Sequence, residues 1–215
     1  MDIIKSIEPI IQKIILHPFL QQLSEGVLDK NIYHYYLVQD YYYLQDYSKA
    51  LLCLSESAIE PVERDFFKSC ASVCEQEPAF EIKDLILDKN ITLTRACQDY
   101  LQLFKTHLHD YAGGVAAVFP CFYVYHRVAN SLYPSDSSSL LAHGLPSAPE
   151  SARISKCFEY AKWFETYTSE SFTHQNRVIL KILEKEYSNS NQKKMLEDII
   201  IQGCELEFRF WDECL

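Results

Sequence analysis

Apolar positions recur along most of the chain with the period of an α-helix. In the first fifteen residues, isoleucines at positions 3, 7, 11 and 14 fall on one helical face, and Pro9 either breaks this helix or begins a new one. No run alternates apolar and polar residues in the way that a half-buried strand does. The pattern predicts an all-α bundle of about eight to ten helices of ordinary length.

Two segments add detail to this prediction. Residues 31–58 are apolar nearly all round, which predicts a helix buried at the centre of the bundle. Serines and prolines cluster at 133–152, which predicts a long loop. Because helical patterning resumes after this loop, we interpret it as an insertion within a single domain that covers residues 1–215.

Glycine content and charge exclude several classes of protein. The chain has five glycines, and their positions fit neither G-x-G-x-x-G nor the phosphate-binding G-x-x-x-x-G-K-[ST] motif. A net charge of -10 without a Lys/Arg-rich stripe argues against a nucleic-acid partner. Charged residues interrupt the apolar N-terminal segment, so it resembles neither a signal peptide nor a membrane span. We expect a cytoplasmic protein that does not bind membranes.

The eight cysteines are scattered without the spacing of a disulfide framework, so most are expected to be reduced core residues. Cys70 and Cys74 lie one helical turn apart, as in half of a metal site. No Cys/His pair at matching spacing completes the set. The sequence therefore predicts neither a metal nor another cofactor.

Two carboxylates fall on apolar helical faces. Asp40 shares a face with Tyr36, Tyr43 and Tyr47, where it is either a structural group bonded to tyrosine hydroxyls or part of a site. In the last helix, Glu207 shares the inward face with Cys204 and Trp211, whereas Glu205 points to solvent. Burial favours the neutral form of an acid such as Glu207, which suits either a proton donor or a structural hydrogen bond.

A thiol lies directly after a proline within a third helix. Pro120 lacks an N–H and clashes with the preceding turn, so we expect it to free a carbonyl near Ala116 and bend the helix. Such a bend would open a cavity at Cys121, which shares its face with Tyr125. A buried cysteine is otherwise a small apolar core residue, and both interpretations fit the isolated motif.

Four sequence blocks together resemble the TenA family, also called thiaminase II or aminopyrimidine aminohydrolase. "HPFLQQLSEGVL" followed by "YYLVQDYYYL" is similar to the family's first block, and "FPCFYVYH" resembles its cysteine helix. "WFETY" and "ELEFRFWD" resemble its later blocks. They occur in family order and span residues 17–212.

The resemblance implies a heme-oxygenase-like helical fold without heme, usually assembled as a homotetramer. It also implies hydrolysis at the exocyclic methylene of thiamine or 4-amino-5-aminomethyl-2-methylpyrimidine, giving hydroxymethylpyrimidine for thiamine salvage. Cys121 would be the nucleophile and Glu207 the acid/base, and Asp40 would bind the aminopyrimidine. The remaining pocket positions implied by the resemblance are Tyr43, Tyr125, Tyr167 and Phe210.

The chain departs from the family pattern in two places. A further family tyrosine has no unambiguous match in "TLTRACQDY", so no role is carried over to Tyr100, and residues 134–152 form a longer connection than usual. Three alternatives remain: hydrolysis of another amino-substituted heterocycle, a carboxylate–histidine iron site using Glu75, Glu77 and Glu81, and a non-catalytic pyrimidine-binding or regulatory protein.

Overall fold

The computed structural model describes residues 2–76, 91–133 and 160–215. Within these ranges the chain forms helices and no strand. The helices are α1 (Asp2–Ile15), α2 (Pro18–Ser24), α3 (Lys30–Ser57), α4 (Pro61–Gln76), α5 (Arg95–His107), α6 (Tyr111–Leu132), α7 (160–168), α8 (Glu170–Asn189) and α9 (Lys193–Asp212). The all-α fold class is confirmed. The loop predicted at 133–152 lies outside the described residues apart from Tyr133.

Polar side chains fix where several of these helices begin. An oxygen-bearing side chain just before the first turn accepts a hydrogen bond from a backbone N–H that has no partner inside the helix. The residues in this position are Asp29 for α3, Thr94 for α5, Asp110 for α6 and Ser169 for α8. Prolines occupy the first position of α2 and α4, where a missing N–H costs nothing.

The N-terminal isoleucine stripe forms the buried face of α1. Ile3, Ile7, Ile11 and Ile14 are all fully buried. The helix runs through Pro9 without a break, and its buried face packs against α9 and α6. The stripe therefore closes one side of the two helices that contain Glu207 and Cys121.

The prediction that α3 is buried at the centre of the bundle was wrong for one side of the helix. Its inward face is buried, but Tyr35 is 42% exposed and Leu52 is 38% exposed. The helix packs against α4, α5 and α6, which leaves part of its circumference to water. Tyrosine counts as apolar in a sequence pattern, yet its hydroxyl group tolerates a wet surface, so a tyrosine-rich helix does not need full burial.

Helices α6 and α9 lie side by side at the centre of the bundle, in contact with α1, α5 and α8. Both carry a nearly continuous row of buried residues along their shared side. No helix in the described part of the chain is long and apolar enough to cross a membrane.

Candidate active site

Glu207 lies in the interior with its carboxyl group hydrogen-bonded to a tyrosine. The residue is 2% exposed, and the Tyr100 hydroxyl donates to its Oε1 atom at 2.9 Å. Burial raises the pKa of Glu207 to about 8, with a smaller contribution from the negative charge of Asp40, while the Tyr100 hydrogen bond opposes this rise. The side chain is therefore mostly protonated at neutral pH and holds a proton that it can donate. Glu205 is exposed, as predicted.

Cys121 lies near Glu207 on the facing helix. Burial raises the pKa of its thiol well above the ordinary value, and the charge of Glu207 raises it further. The residue as a whole is only half-buried, and it lines a cavity that is partly open to solvent. The raised pKa keeps the resting group a neutral thiol at neutral pH.

Asp40 is part of the same group of titratable side chains. It is 9% exposed and projects from the inward face of α3. Its negative charge raises the pKa values of Cys121 and Glu207, and also those of Tyr36 and Tyr125. The three polar residues singled out from the sequence therefore converge in one buried region, although their chemical roles stay predictions.

Aromatic rings surround this region. The Tyr125 ring centroid is 4.7 Å from that of Tyr167 and 5.2 Å from that of Trp211. The Phe210 ring lies 5.9 Å from the Tyr43 ring. Tyr36 links the two pairs, since its ring lies 6.0 Å from that of Phe210 and its hydroxyl lies 3.2 Å from that of Tyr125. All four aromatic residues implied by the family resemblance thus belong to one cluster, and Tyr167 also lines the cavity described below.

Two further side chains hold this cluster in place. The Tyr36 and Tyr125 hydroxyls are 3.2 Å apart, and the Trp163 indole N–H donates to Tyr36 at 3.1 Å. These contacts tie α3, α6 and α7 together through their side chains. The orientation of Tyr125 is therefore fixed before any ligand binds.

The Tyr43 hydroxyl is buried without a hydrogen-bond partner among the described residues. It lies close enough to Cys121 to lower the pKa of that thiol, but no well-aligned hydrogen bond joins the two groups. A buried hydroxyl without a partner costs free energy, so the stability of the fold does not account for its presence beside Cys121.

A cavity of about 180 Å³ extends from Cys121 toward the junction of α7 and α8. Its wall on one side is apolar and sulfur-containing, and hydroxyl and amide groups lie at the other side. Its described lining residues are Leu44, Tyr47, Cys70, Val73, Cys74, Cys121, Phe122, Thr166, Tyr167, Ser169, Ser171, Phe172 and Gln175. A cavity is therefore present at the thiol, and α6 continues through Pro120 beside it. The bend at Pro120 stays a prediction.

Sequence reasoning missed Tyr100. In α5 it lies with Cys97 and Phe104 on a buried face of 3.6-residue period. That pattern marks Tyr100 as inward but does not show that Glu207 is its partner, because the two residues are 107 positions apart. Cys70 and Cys74, which the sequence suggested as core residues or as half of a metal site, line the cavity.

Among residues 2–76, 91–133 and 160–215, no three His, Cys, Asp or Glu side chains are grouped as metal ligands would be. The iron-site alternative used Glu77 and Glu81, which lie outside the described residues, and Glu75, whose side chain is likewise not described. The titratable groups that the structure does bring together suit proton transfer and thiol addition rather than metal binding.

Comparisons with known proteins agree with this architecture. A TenA homologue from Pyrococcus furiosus has the same fold, with a TM-score of 0.80 over 100% of this chain and 98% of that chain at 17% identity. An aminopyrimidine aminohydrolase from Helicobacter pylori is 26% identical over 213 residues, which cover 92% of this chain and 89% of that protein.

A thiamine biosynthesis multifunctional protein from Corynebacterium efficiens is 26% identical over 207 residues. The alignment covers 91% of this chain, which spans about a quarter of that relative's length, because only 25% of the relative is matched. The model of the TENA/THI-4/PQQC family matches residues 4–215, nearly the whole sequence. The chain therefore belongs to the TENA/THI-4/PQQC family.

Proposed function

We propose that this protein is a cysteine-dependent hydrolase that cleaves aminopyrimidines at the exocyclic methylene. Its substrates are 4-amino-5-aminomethyl-2-methylpyrimidine, thiamine or both, and its product is hydroxymethylpyrimidine. The names of relatives at about a quarter identity, including the Helicobacter pylori aminopyrimidine aminohydrolase, support this reaction class.

One observation carries the proposal: a thiol, a protonated buried acid and an unpartnered tyrosine hydroxyl share one aromatic-walled region. Burial and the charge of Glu207 raise the pKa of the Cys121 thiol, and Tyr43 lies beside the thiol without a hydrogen-bond partner among the described residues. A purely structural core would gain by replacing these groups with apolar side chains. Their retention in one place suits nucleophilic addition coupled to proton transfer.

In the first half of the proposed reaction, written for the aminomethylpyrimidine, the pyrimidine stacks between the aromatic side chains, and Asp40 accepts a hydrogen bond from its amino group or protonated ring nitrogen. The Cys121 thiol gives up its proton to the ring system, and its sulfur forms a bond to an electron-poor ring carbon. The ring takes up the electron pair and returns it to expel the amine from the exocyclic methylene. Glu207 donates its proton to the departing amine.

In the second half, water adds to the methylene carbon, which has become electron-poor. Glu207, now a carboxylate, accepts one proton from this water and returns to its acid form. The ring then loses the proton that it gained, the carbon–sulfur bond breaks and the Cys121 thiol is restored. The sum is one water consumed and one amine released, with no change in oxidation state.

The test compares wild type with Cys121→Ala, each incubated with thiamine and with the aminomethylpyrimidine, followed by chromatography for hydroxymethylpyrimidine. We expect product from wild type and a loss of at least about 10³-fold in the variant, because a covalent route loses its nucleophile. Cys53→Ala is the matched control, since Cys53 is also half-buried but lies outside the cavity lining.

Two results would contradict the proposal. Equal turnover in wild type and Cys121→Ala would remove the thiol from the mechanism. Tight binding of hydroxymethylpyrimidine by folded wild type, without product from either substrate, would instead favour the non-catalytic binding protein.

A further inference from the structure

Helices α6 and α9 approach each other closely where Pro120 faces Gly203. A Cβ atom placed on Gly203 would lie 2.6 Å from Pro120 Cγ and 3.2 Å from its Cβ. Ordinary van der Waals contact begins at about 3.4 Å, so no residue with a side chain fits here without moving one of the helices. Glycine is thus required at position 203 by the close approach of the two helices.

The opposing group is a ring, which makes this contact rigid. Because its ring is closed on the backbone nitrogen, a proline side chain can change only its ring pucker and cannot swing away from a new methyl group as an open side chain can. Gly114, in the first turn of α6, offers a comparison. A Cβ atom there would lie 2.8 Å from Leu54 Cδ2, which is the far end of a flexible side chain. Crowding at Gly114 can be relieved by a rotation, whereas crowding at Gly203 has to separate two backbones.

The contact lies beside both proposed catalytic groups. Pro120 directly precedes Cys121, and Gly203 lies one helical turn before Glu207. On the side of α6 that faces α3, the Tyr47 hydroxyl donates to the Val118 carbonyl at 3.0 Å. The turn of α6 that carries the thiol is therefore held by α3 through this hydrogen bond and by α9 through the glycine contact.

We propose that the Gly203–Pro120 contact is a positioning element that sets the separation of the Cys121 sulfur and the Glu207 carboxyl group. Gly203 and Pro120 touch no substrate in this scheme. They act by fixing the spacing of two helices, so that one buried acid can serve the atoms that the thiol attacks. The effect on turnover rests on the proposed function, whereas the effect on geometry does not.

The experiment is a double-mutant cycle of Gly203→Ala, Pro120→Ala and the double variant. Gly203→Ala has to lengthen the 2.6 Å contact by nearly 1 Å, so we expect kcat to fall about 100-fold, as a misplacement of this size can do. We expect KM to change less than about threefold, because Asp40 and the aromatic walls on α3 and α7 stay in place.

Pro120→Ala should restore most of the loss. Alanine lacks the Cγ and Cδ atoms, and the nearest atom to the new Cβ is then the former proline Cβ position at 3.2 Å. Once Pro120→Ala is in place, adding Gly203→Ala is therefore expected to lower kcat by less than about threefold. A 100-fold loss in both backgrounds would overturn the proposal. Gly114→Ala is the control for crowding in general and is expected to keep kcat within about threefold.

A second readout does not depend on turnover. Burial and the Glu207 charge hold the pKa of the Cys121 thiol above its ordinary value. Moving α9 away weakens both influences, so Gly203→Ala should lower the apparent pKa of Cys121, measured from the pH dependence of iodoacetamide labelling of its peptide by mass spectrometry. An unchanged pKa would overturn the proposal even if wild type proved not to hydrolyse either substrate.

If Gly203→Ala does not fold, the double variant of Gly203→Ala and Pro120→Ala tests the proposal instead. Folding of the double variant with a thiol pKa like that of Pro120→Ala would support the contact, because removal of the ring alone relieves the crowding. A double variant that also fails to fold, while Pro120→Ala folds, would overturn it.

Discussion

Two stacked tyrosines on α3 differ in the surroundings of their hydroxyl groups. The rings of Tyr43 and Tyr47 are 5.5 Å apart, and both residues are nearly fully buried. Tyr47 donates to the Val118 carbonyl, whereas Tyr43 has no partner among the described residues. One hydroxyl thus contributes to the fold, and the other costs free energy that the fold does not recover.

This contrast predicts opposite effects for the same chemical change. Tyr43→Phe removes an unpaired buried hydroxyl, so the free energy of unfolding is expected to stay equal or to rise by about 1 kcal/mol, while kcat/KM falls about tenfold or more. Tyr47→Phe removes a formed hydrogen bond and is expected to lower the free energy of unfolding by about 1 kcal/mol. Urea denaturation and initial rates on the same preparations measure both quantities.

A loss of stability in Tyr43→Phe with unchanged kcat/KM would show that its hydroxyl has a structural partner and no role in the reaction. Such a result would remove one of the observations behind the proposed function. The matched Tyr47→Phe variant excludes a general effect of losing a hydroxyl in this aromatic cluster.

At the scale of single residues, the helical period was enough to predict that Glu207 rather than Glu205 points inward. Positions 205 and 207 differ by about 200° around a helix axis, which separates exposed Glu205 from buried Glu207. Periodicity within one helix carries no information on partners in another helix. Both the hydrogen bond from Tyr100 to Glu207 and the lack of a partner for Tyr43 among the described residues depend on distances between helices, which one sequence does not contain.

At the scale of elements, α5 is held in place by a buried glutamine of α3. Gln39 is fully buried, its amide nitrogen donates to the Thr92 carbonyl at 3.1 Å and its amide oxygen accepts from the Thr94 N–H at 2.9 Å. These two bonds satisfy backbone groups just before α5 begins. Because α5 carries Tyr100, these bonds from Gln39 also help to position the Tyr100 hydroxyl that donates to Glu207. Gln39 directly precedes Asp40, so one turn of α3 contributes to both parts of the site.

Gln39→Ala is expected to lower the free energy of unfolding by about 2–4 kcal/mol, because it leaves two backbone groups without partners and opens a small cavity. Gln98→Ala, in the helix that Gln39 holds, is the control, since Gln98 is exposed and donates to the Leu93 carbonyl. We expect a change within about 0.5 kcal/mol for the control. Denaturation curves test the difference, and equal values for the two variants would contradict this role of Gln39.

Element order and type were largely predictable because amphipathic periods and capping residues act locally. Pro61 at the start of α4 and the isoleucine stripe of α1 are examples. The environment of α3 was not predictable, since the number of helices that surround a tyrosine-rich segment is set by tertiary packing. The close contact between α6 and α9 at Gly203 was not predictable for the same reason, because it also depends on tertiary packing.

At the scale of the whole molecule, the buried acid makes stability depend on pH. Glu207 has its pKa raised from 4.5 to about 8 by burial. Between these two values the folded protein holds a proton on this group that the unfolded chain has released. The stabilising contribution of this proton is complete below about pH 4.5 and is lost as the pH rises to about 8. A group suited to proton transfer at neutral pH thus lowers the stability of the fold there.

Glu207→Gln separates these two consequences, because glutamine stays neutral and its Oε1 atom still accepts the Tyr100 hydrogen bond. We expect the variant and wild type to have similar melting temperatures near pH 5, and the variant to be more stable by several kcal/mol near pH 8, with turnover reduced about 10²-fold or more. Thermal unfolding from about pH 5 to 9 measures the difference. Glu205→Gln, at an exposed position of the same helix, should give a difference that does not change with pH. The same constant difference in Glu207→Gln would mean that Glu207 is ionised at neutral pH, and it would then act as a base from the start of the reaction rather than as the initial acid.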